Sequence, residues 1–238
     1  MIPIRDDQPR FSTPYLNYFI IGLNVIAFLF ELSIGSNNPR ALNAFIDEFG
    51  VVPSYFTHAL EGNAHASLAA GLLSILTSMF LHGSWLHIIG NMWALYIFGD
   101  NIEDRLGHGT YLAFYLICGF AASFTHILLN LGSNVPSVGA SGAIAGVMGA
   151  YFVLYPRSRV LTIVPLIVFF TFWWLPAWIV LGYWFIVQFF SGAATSIAYT
   201  NQSTGGVAFW AHVGGFVAGI LLIKIFPQRK GRNRYGTW

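Results

Sequence analysis

Long apolar runs alternate with short polar connections along the chain, and the runs approach the length of membrane-spanning helices. A helix needs about 20 apolar residues to cross the hydrocarbon core of a bilayer. One apolar run, 160–174, contains Pro165 and ends just before Pro176, which indicates a bent loop or half-span lying on the membrane. The six predicted spans are 15–34, 84–99, 111–129, 141–155, 176–191 and 206–226.

The composition agrees with a membrane protein and excludes several other classes. Hydrophobic residues make up 56% of the 238 residues and charged residues only 8%, whereas ordinary soluble domains carry about 25% charged residues. The net charge is +2 and no basic run precedes the last ten residues, which argues against a nucleic-acid partner. Cys118 is the only cysteine, so the chain has no internal disulfide and no paired-cysteine metal site.

The few charges also predict the topology. With six spans and a cytoplasmic N-terminus, ten of the eleven Lys and Arg residues lie inside and only Arg40 lies outside. Counting 160–174 as a seventh span would move the basic tail outside, so the positive-inside rule favours six spans. The sequence therefore predicts an all-α polytopic bundle with both termini in the cytoplasm. Its parts are an N-terminal segment 1–14, a membrane domain 15–226 with a large first loop at about 35–82, and a basic cytoplasmic tail 227–238.

Polar side chains inside the spans mark candidate sites, because they are costly in hydrocarbon. His82, His87 and Asn91 lie around the start of the second span, Ser141 opens the fourth, and His212 lies early in the sixth. Counting residues to the cytoplasmic end of each helix places His87, Ser141 and His212 roughly 18–21 Å above that boundary. All three are then about 10 Å below the outer face. We therefore expect them to converge.

The fourth span is too short to cross the bilayer alone. Its length is roughly 22 Å, so the irregular segment 131–140 must dip into the protein to meet it. Ser141 then begins a helix below the surface, where free N–H groups and the helix dipole suit an oxyanion. Small residues recur along this helix, and Gly215 and Gly219 form a close-approach pattern on the sixth span. Packing of these faces would put Ser141 beside His212, a nucleophile beside a base.

A carboxylate is missing from this arrangement. No Asp or Glu follows Asp104, and the earlier carboxylates lie outside the membrane or at span ends. A Ser-His dyad is therefore the arrangement that the sequence permits. His87 and Asn91, four residues apart on one helix face, supply donors that could complete an oxyanion hole.

Four short motifs follow one another along most of the chain: HGSWLHIIGN at 82–91, EDRLG at 103–107, GASG at 139–142 and AHVGG at 211–215. Together they resemble the rhomboid family of intramembrane serine proteases. The resemblance implies a six-helix core in which Glu103 and Arg105 have a structural role, tying down the loop after the second helix.

The resemblance also implies roles for the polar residues of the spans. Ser141 is the implied nucleophile and His212 the implied base. The implied oxyanion hole consists of the Ser141 backbone N–H, His87 and Asn91, with His82 as a further contributor to the site.

Two positions depart from the family pattern. Leu73 and Ser74 stand where many members have a Trp-Arg pair, so the anchoring of the first loop differs. Ala145 stands where many members have an aromatic residue packed against the histidine. His212 must then be held by other groups, for which Phe209, Trp210 and the sixth helix itself are the candidates.

The sequence therefore predicts an intramembrane serine endopeptidase that cleaves transmembrane segments of other proteins in the lipid bilayer, without a metal or cofactor. An alternative is a catalytically inactive relative that binds client membrane helices. A more distant alternative is a haem- or ion-binding bundle that uses the seven histidines. No transit-like extension is evident, which favours a bacterial plasma membrane.

Overall fold

The computed structural model describes residues 1–63, 66–166, 169–198 and 208–229, and this part of the chain is mostly helical. By length and composition, α1, α6 and most of α8 could cross a membrane, and α4, α7 and α9 are shorter apolar helices. The helices are α1 Tyr15–Asn37, α2 Pro39–Phe49, α3 Pro53–Leu60, α4 Leu68–Ser78, α5 Trp85–Leu106, α6 His108–Leu129, α7 Ser141–Leu154, α8 Ala177–Ala198 and α9 Phe209–Leu222.

Helices α1 and α5 to α9 lie at the positions of the six predicted spans. The clearest difference is in α5, which continues to Leu106, seven residues beyond the predicted end of the second span at 99. The last turns of α5 carry charged side chains that bind the N-terminal segment. For example, Asp100 of α5 accepts a hydrogen bond of 3.1 Å from Arg10. The predicted start of the sixth span, 206, and the end of the basic tail, 230–238, lie outside the described residues. The predicted domain boundaries stay predictions.

A three-stranded sheet replaces the bent loop or half-span predicted for 160–174, so that prediction is wrong, and the chain is not all-α. Strands β2 (Arg159–Leu166) and β3 (Phe169–Pro176) pair antiparallel, and β1 (Ile2–Asp6) pairs with the other edge of β2. Half of the β2 residues are β-branched and most of the β3 residues are aromatic, and both types favour a pleated surface. The sheet therefore joins the N-terminal segment to the connection between α7 and α8.

The predicted first loop, 35–82, is largely helical and contains α2, α3 and α4. The Asn38 side chain caps α2 by accepting the backbone N–H groups of Arg40 and Ala41, and Pro39 occupies the first helical turn. Phe56 of α3 is buried and lies against Gly71 of α4. The loop is thus a packed layer that can support the neighbouring segment 131–140.

Glu103 links the end of α5 to the start of α1. Its buried carboxylate accepts the backbone N–H groups of Leu16 at 3.0 Å and Asn17 at 2.7 Å. Because α1 has no side-chain cap of its own, this carboxylate satisfies helix donors that would otherwise be unpaired. His108, at the start of α6, contacts the same carboxylate. Glu103 therefore holds three helices together, with partners at the starts of α1 and α6, whereas the family resemblance implied a role in tying down the loop after the second helix.

Asp6 on β1 is expected to make stability depend on pH. Burial raises the pKa of this carboxyl from 3.8 to about 6, although a hydrogen bond from the Tyr151 hydroxyl opposes the shift. Because the folded protein binds this proton more tightly than the unfolded chain, the contribution to stability is complete below the unfolded pKa and is lost as the pH rises through the folded pKa. The Tm of Asp6→Asn minus the Tm of wild type should therefore be more positive at about pH 7.5 than at about pH 4. Equal Tm differences at the two pH values would contradict this expectation.

Candidate active site

A hydrogen bond joins Ser141 to His212. Ser141 is the first residue of α7, and His212 is the fourth residue of α9. Ser141 Oγ lies 2.7 Å from His212 Nε2, where the hydroxyl can donate to the ring nitrogen. His212 is only 8% exposed, so protein surrounds most of the ring. A serine hydroxyl directed at an imidazole nitrogen has the geometry of an activated nucleophile.

Glycines bring α7 and α9 into direct backbone contact. A Cβ added to Gly215 would lie 2.0 Å from the Gly142 carbonyl oxygen, and one added to Gly219 would lie 2.0 Å from the Gly146 carbonyl oxygen. No side chain fits between the helices at these points. The close approach that the small residues predicted is therefore present, and it sets the distance between the two ends of the Ser-His hydrogen bond.

The irregular segment 131–140 holds the start of α7 inside the protein. Val51 and Ser137 exchange two backbone hydrogen bonds of 2.9 and 2.8 Å, and the Gly139 N–H donates to the Ser78 carbonyl at 2.8 Å. The Ser54 hydroxyl donates to Asn134 Oδ1 at 2.6 Å. The first loop thus supplies the partners that non-helical backbone requires at membrane depth.

A chain of hydrogen bonds from α1 orients Asn91. The Glu31 carboxylate accepts the backbone N–H of His82, and His82 Nε2 accepts a hydrogen bond of 2.9 Å from Asn91 Nδ2. His82 Nδ1 lies 3.3 Å from the Phe80 carbonyl oxygen, which places the ring proton on Nδ1. The amide of Asn91 has a second N–H, which is available to a ligand. His82 is 2% exposed and lies behind Asn91, so it can act through Asn91.

A cavity of about 760 Å³ lies over Ser141, and His87, Asn91 and His212 also line it. The His87 ring packs against Gly139, where a Cβ would lie 2.7 Å from His87 Nε2. Gly139 has a φ of +130°, which L side chains rarely adopt. The structure therefore brings four of the five predicted site residues to one cavity, with the fifth, His82, directly behind them.

Two residues of α8 also contact His212, and neither was predicted from the sequence as a site residue. Gln188 Oε1 lies 2.7 Å from His212 Nδ1, and the Trp184 ring centroid lies 5.7 Å from that of the histidine. Trp210, a candidate support for His212, instead donates to Ser196 Oγ at 2.9 Å. Gln188 is a polar residue inside a predicted span. Polar residues inside spans identified the other site residues, so the same signal was available for Gln188.

The departure at Leu73 and Ser74 leaves α4 with other anchors. The Ser74 hydroxyl bonds only within its own helix, to the Gly71 carbonyl, and Leu73 is exposed. The Thr77 hydroxyl instead bonds the Phe49 carbonyl oxygen at 2.7 Å. The end of α4 is thus fixed to the end of α2, close to the residues that pair with segment 131–140.

Metal ligands do not accompany these side chains. Within the residues that the structure describes, no group of three or more His, Cys, Asp or Glu side chains could hold a metal ion. The rings of His82 and His87 contact each other at a centroid distance of 5.0 Å and an interplanar angle of 64°. His82 lies in the segment just before α5 and His87 in the first turn of that helix, so this contact is local to the start of α5.

Comparison with known proteins assigns the family. A family model described as the Rhomboid domain matches residues 69–229, which is more than half of the chain. The chain belongs to the rhomboid family. It is 31% identical over 153 residues to Rhomboid protein 1, mitochondrial, of Saccharomyces cerevisiae, with 63% of this chain and 40% of that protein covered. It is 30% identical over 148 residues to Rhomboid protease GluP of Bacillus subtilis, with 61% of this chain and 26% of that protein covered.

A third relative is the Presenilin-associated rhomboid-like protein, mitochondrial, of Mus musculus, which is 30% identical over 168 residues. The match covers 67% of this rhomboid chain and 40% of the mouse protein. The chain thus spans 40% or less of the length of each of these curated relatives.

The spanning helices and the family together make this rhomboid a multi-pass membrane protein. The expectation of a bacterial plasma membrane is not supported. Two of the relatives are mitochondrial by name, and the third comes from a bacterium, so the matches do not favour a bacterial membrane over an organelle membrane.

Proposed function

We propose that this rhomboid-family protein is an intramembrane serine endopeptidase, with Ser141 as nucleophile and His212 as general base. The observation that carries the proposal is the 2.7 Å contact between Ser141 Oγ and His212 Nε2 at the wall of a large cavity. The similarity to Rhomboid protease GluP of Bacillus subtilis supports the same reaction class.

The first step forms an acyl-enzyme. His212 Nε2 takes the hydroxyl proton as Ser141 Oγ attacks the peptide carbonyl carbon, and the carbonyl oxygen gains the negative charge. The free N–H groups at the start of α7, the Asn91 amide and His87 line the same cavity and can donate to this oxyanion. The C–N bond then breaks, and the leaving amine receives the proton from His212.

The second step releases the other product. A water molecule in the cavity gives a proton to His212 Nε2 and attacks the ester carbonyl carbon. The ester C–O bond breaks, the proton returns to Ser141 Oγ, and the product leaves with a free carboxyl group. His87 and Asn91 serve the oxyanion in both steps, because charge develops on the same oxygen atom each time.

The six-span topology supports a substrate that is itself a membrane segment. We infer that α1, α5, α6, α7, α8 and α9 all cross the bilayer, with both termini on the cytoplasmic side, as the distribution of basic residues favours. Ser141 then lies below the opposite surface at the end of a 14-residue helix. A transmembrane helix that unwinds there would present its peptide bonds to the cavity.

A covalent probe tests the nucleophile without a known substrate. We expect a fluorophosphonate to form an O–P bond with Ser141 Oγ and release fluoride, and peptide mass spectrometry should locate the adduct at this residue. Ser141→Ala should abolish labelling. Ser137→Ala provides a matched control, because Ser137 lines the same cavity but contributes only its backbone to the segment before α7. Labelling that is absent from the folded wild type would favour the inactive client-binding alternative, and labelling that persists in Ser141→Ala would contradict the assignment of Ser141 as the nucleophile.

A further inference from the structure

We propose that Gln188 and Trp184 of α8 are positioning residues for His212, with the Gln188 amide oxygen occupying the place that a carboxylate holds in a Ser-His-Asp triad. This inference rests on the proposed function, since it describes how the base of that site is oriented. It concerns a helix, α8, that supplies neither the nucleophile nor the base.

The hydrogen bonds of His212 are consistent with only one neutral form of the ring. When Ser141 donates its hydroxyl proton to Nε2, this nitrogen carries no proton, so the neutral imidazole must carry its proton on Nδ1. Nδ1 then needs an acceptor, and Gln188 Oε1 lies 2.7 Å away. Gln188 therefore selects the tautomer in which Nε2 is free to take the proton of Ser141.

Aromatic packing fixes the part of α8 that carries Gln188. Trp184, one turn before Gln188, contacts the His212 ring at 5.7 Å and the Phe216 ring at 6.1 Å. Phe185 stacks on Phe216 with a centroid distance of 4.9 Å. These contacts join α8 to α9 beside the histidine, and the Trp184 ring lies against the imidazole.

In the described part of the chain, no carboxylate is hydrogen-bonded to His212. No Asp or Glu follows Asp104 in the sequence, and Glu31 is engaged with the backbone of His82. Ala145, on α7, presents only a methyl group toward its neighbours, so α7 supplies no ring to pack against His212. A neutral amide also suits this depth, because an unpaired carboxylate in a membrane interior would be costly.

Removal of the acceptor should lower the rate of acylation. Gln188→Leu keeps most of the side-chain volume and removes the acceptor, and we expect kcat to fall about 10- to 100-fold with little change in KM. The loss should be smaller than the roughly 10⁴-fold loss seen when a triad carboxylate is replaced, because the amide carries no charge. Gln188→Glu keeps an acceptor at the same position and should retain more activity than Gln188→Leu.

Histidine ¹⁵N NMR of the protein in lipid bilayers tests the positioning role without turnover. The His212 signals are identified by their absence from His212→Asn. In the wild type we expect the proton on Nδ1 and a bare Nε2, in Gln188→Glu the same tautomer, and in Gln188→Leu a loss of this preference. Thr195→Val is the matched control, because Thr195 also lies on α8 and its hydroxyl donates to the Ser191 carbonyl oxygen of the same helix.

The wild-type spectrum alone can overturn the proposal, whether or not the variants fold. A proton on Nε2 of His212 would contradict it, as would an unchanged tautomer and an unchanged kcat in folded Gln188→Leu. If Thr195→Val lost the tautomer as well, the effect would belong to α8 in general and Gln188 would not be the positioning residue. If the predicted tautomer is found in a wild-type protein that cleaves nothing, the proposed function fails while this account of the ring stands.

Discussion

His212→Asn is expected to lower kcat for peptide-bond cleavage by about 10⁵-fold or more, which in practice abolishes activity. Without the imidazole, no hydrogen-bond partner of Ser141 Oγ among the described residues can take its proton in the transition state. The same substitution should slow fluorophosphonate labelling of Ser141 by a similar factor. Single-turnover cleavage of a transmembrane peptide in detergent or lipid measures the first effect, and the rate of adduct formation measures the second.

His58→Asn is the matched control for this experiment. His58 lies on α3 and does not line the cavity over Ser141. We expect this variant to cleave and label at the wild-type rate, with circular dichroism confirming that both variants are folded. Activity of folded His212→Asn within tenfold of wild type would rule out His212 as the general base.

Gly215→Ala is expected to inactivate the protein by separating α7 from α9. The new methyl group would lie 2.0 Å from the Gly142 carbonyl oxygen, whereas real Cβ atoms stay at least 3.0 Å away, so the helices must move apart by about 1 Å. Overpacking of this kind costs about 1–3 kcal/mol of unfolding free energy. A displacement of about 1 Å at a reacting pair can cost about 10²-fold in rate. The measurements are Tm in detergent and kcat on the same preparation.

Gly22→Ala is the control for adding a methyl group to a helix of this protein. Gly22 lies in α1, and apart from the neighbouring backbone of that helix no described atom lies within 4 Å of the position its Cβ would take. Because alanine is the better helix former, we expect an unchanged or slightly higher Tm and unchanged activity. If Gly215→Ala behaved like Gly22→Ala, the glycine contact would not be what sets the distance between Ser141 and His212.

The contact between Ser141 and His212 could be predicted from the sequence, because depth and helix packing obey simple rules in a membrane. Helix rise fixes depth once the spans are known, and charge bias indicates which ends share a side. The glycines of α7 and α9 then point to a close approach, and the observed backbone contacts have this form. These rules act through the backbone, so they do not require knowledge of side-chain conformations.

The support of His212 could not be predicted in the same way. Gln188 is a polar residue within α8 and could be noticed from the sequence, but its partner on α9 depends on the rotation of α8 about its axis, which this mostly apolar helix leaves open. The role of Glu103 is similarly distant, since its partners are backbone N–H groups 86 and 87 residues earlier in the chain.

The sheet was missed for a different reason. Residues 160–174 form one continuous apolar run, and such a run does not distinguish a strand from a buried helix by periodicity. Its pairing with β1 depends on a contact between Ile2 and Ile163, which are far apart in sequence. Prolines correctly argued against a straight helix, but they did not indicate the hairpin that forms instead.

Cleavage of a single-span membrane protein in proteoliposomes is the most direct test of the central claim, that Ser141 cuts peptide bonds within the bilayer. Wild type and Ser141→Ala are reconstituted at equal density with a panel of substrates that carry small residues near one end of the span, and the fragments are identified by mass. We predict that the wild type produces two fragments cut inside the membrane segment and that Ser141→Ala produces none. Equal cleavage by both proteins, or an intact panel after incubation with folded wild type, would contradict the account.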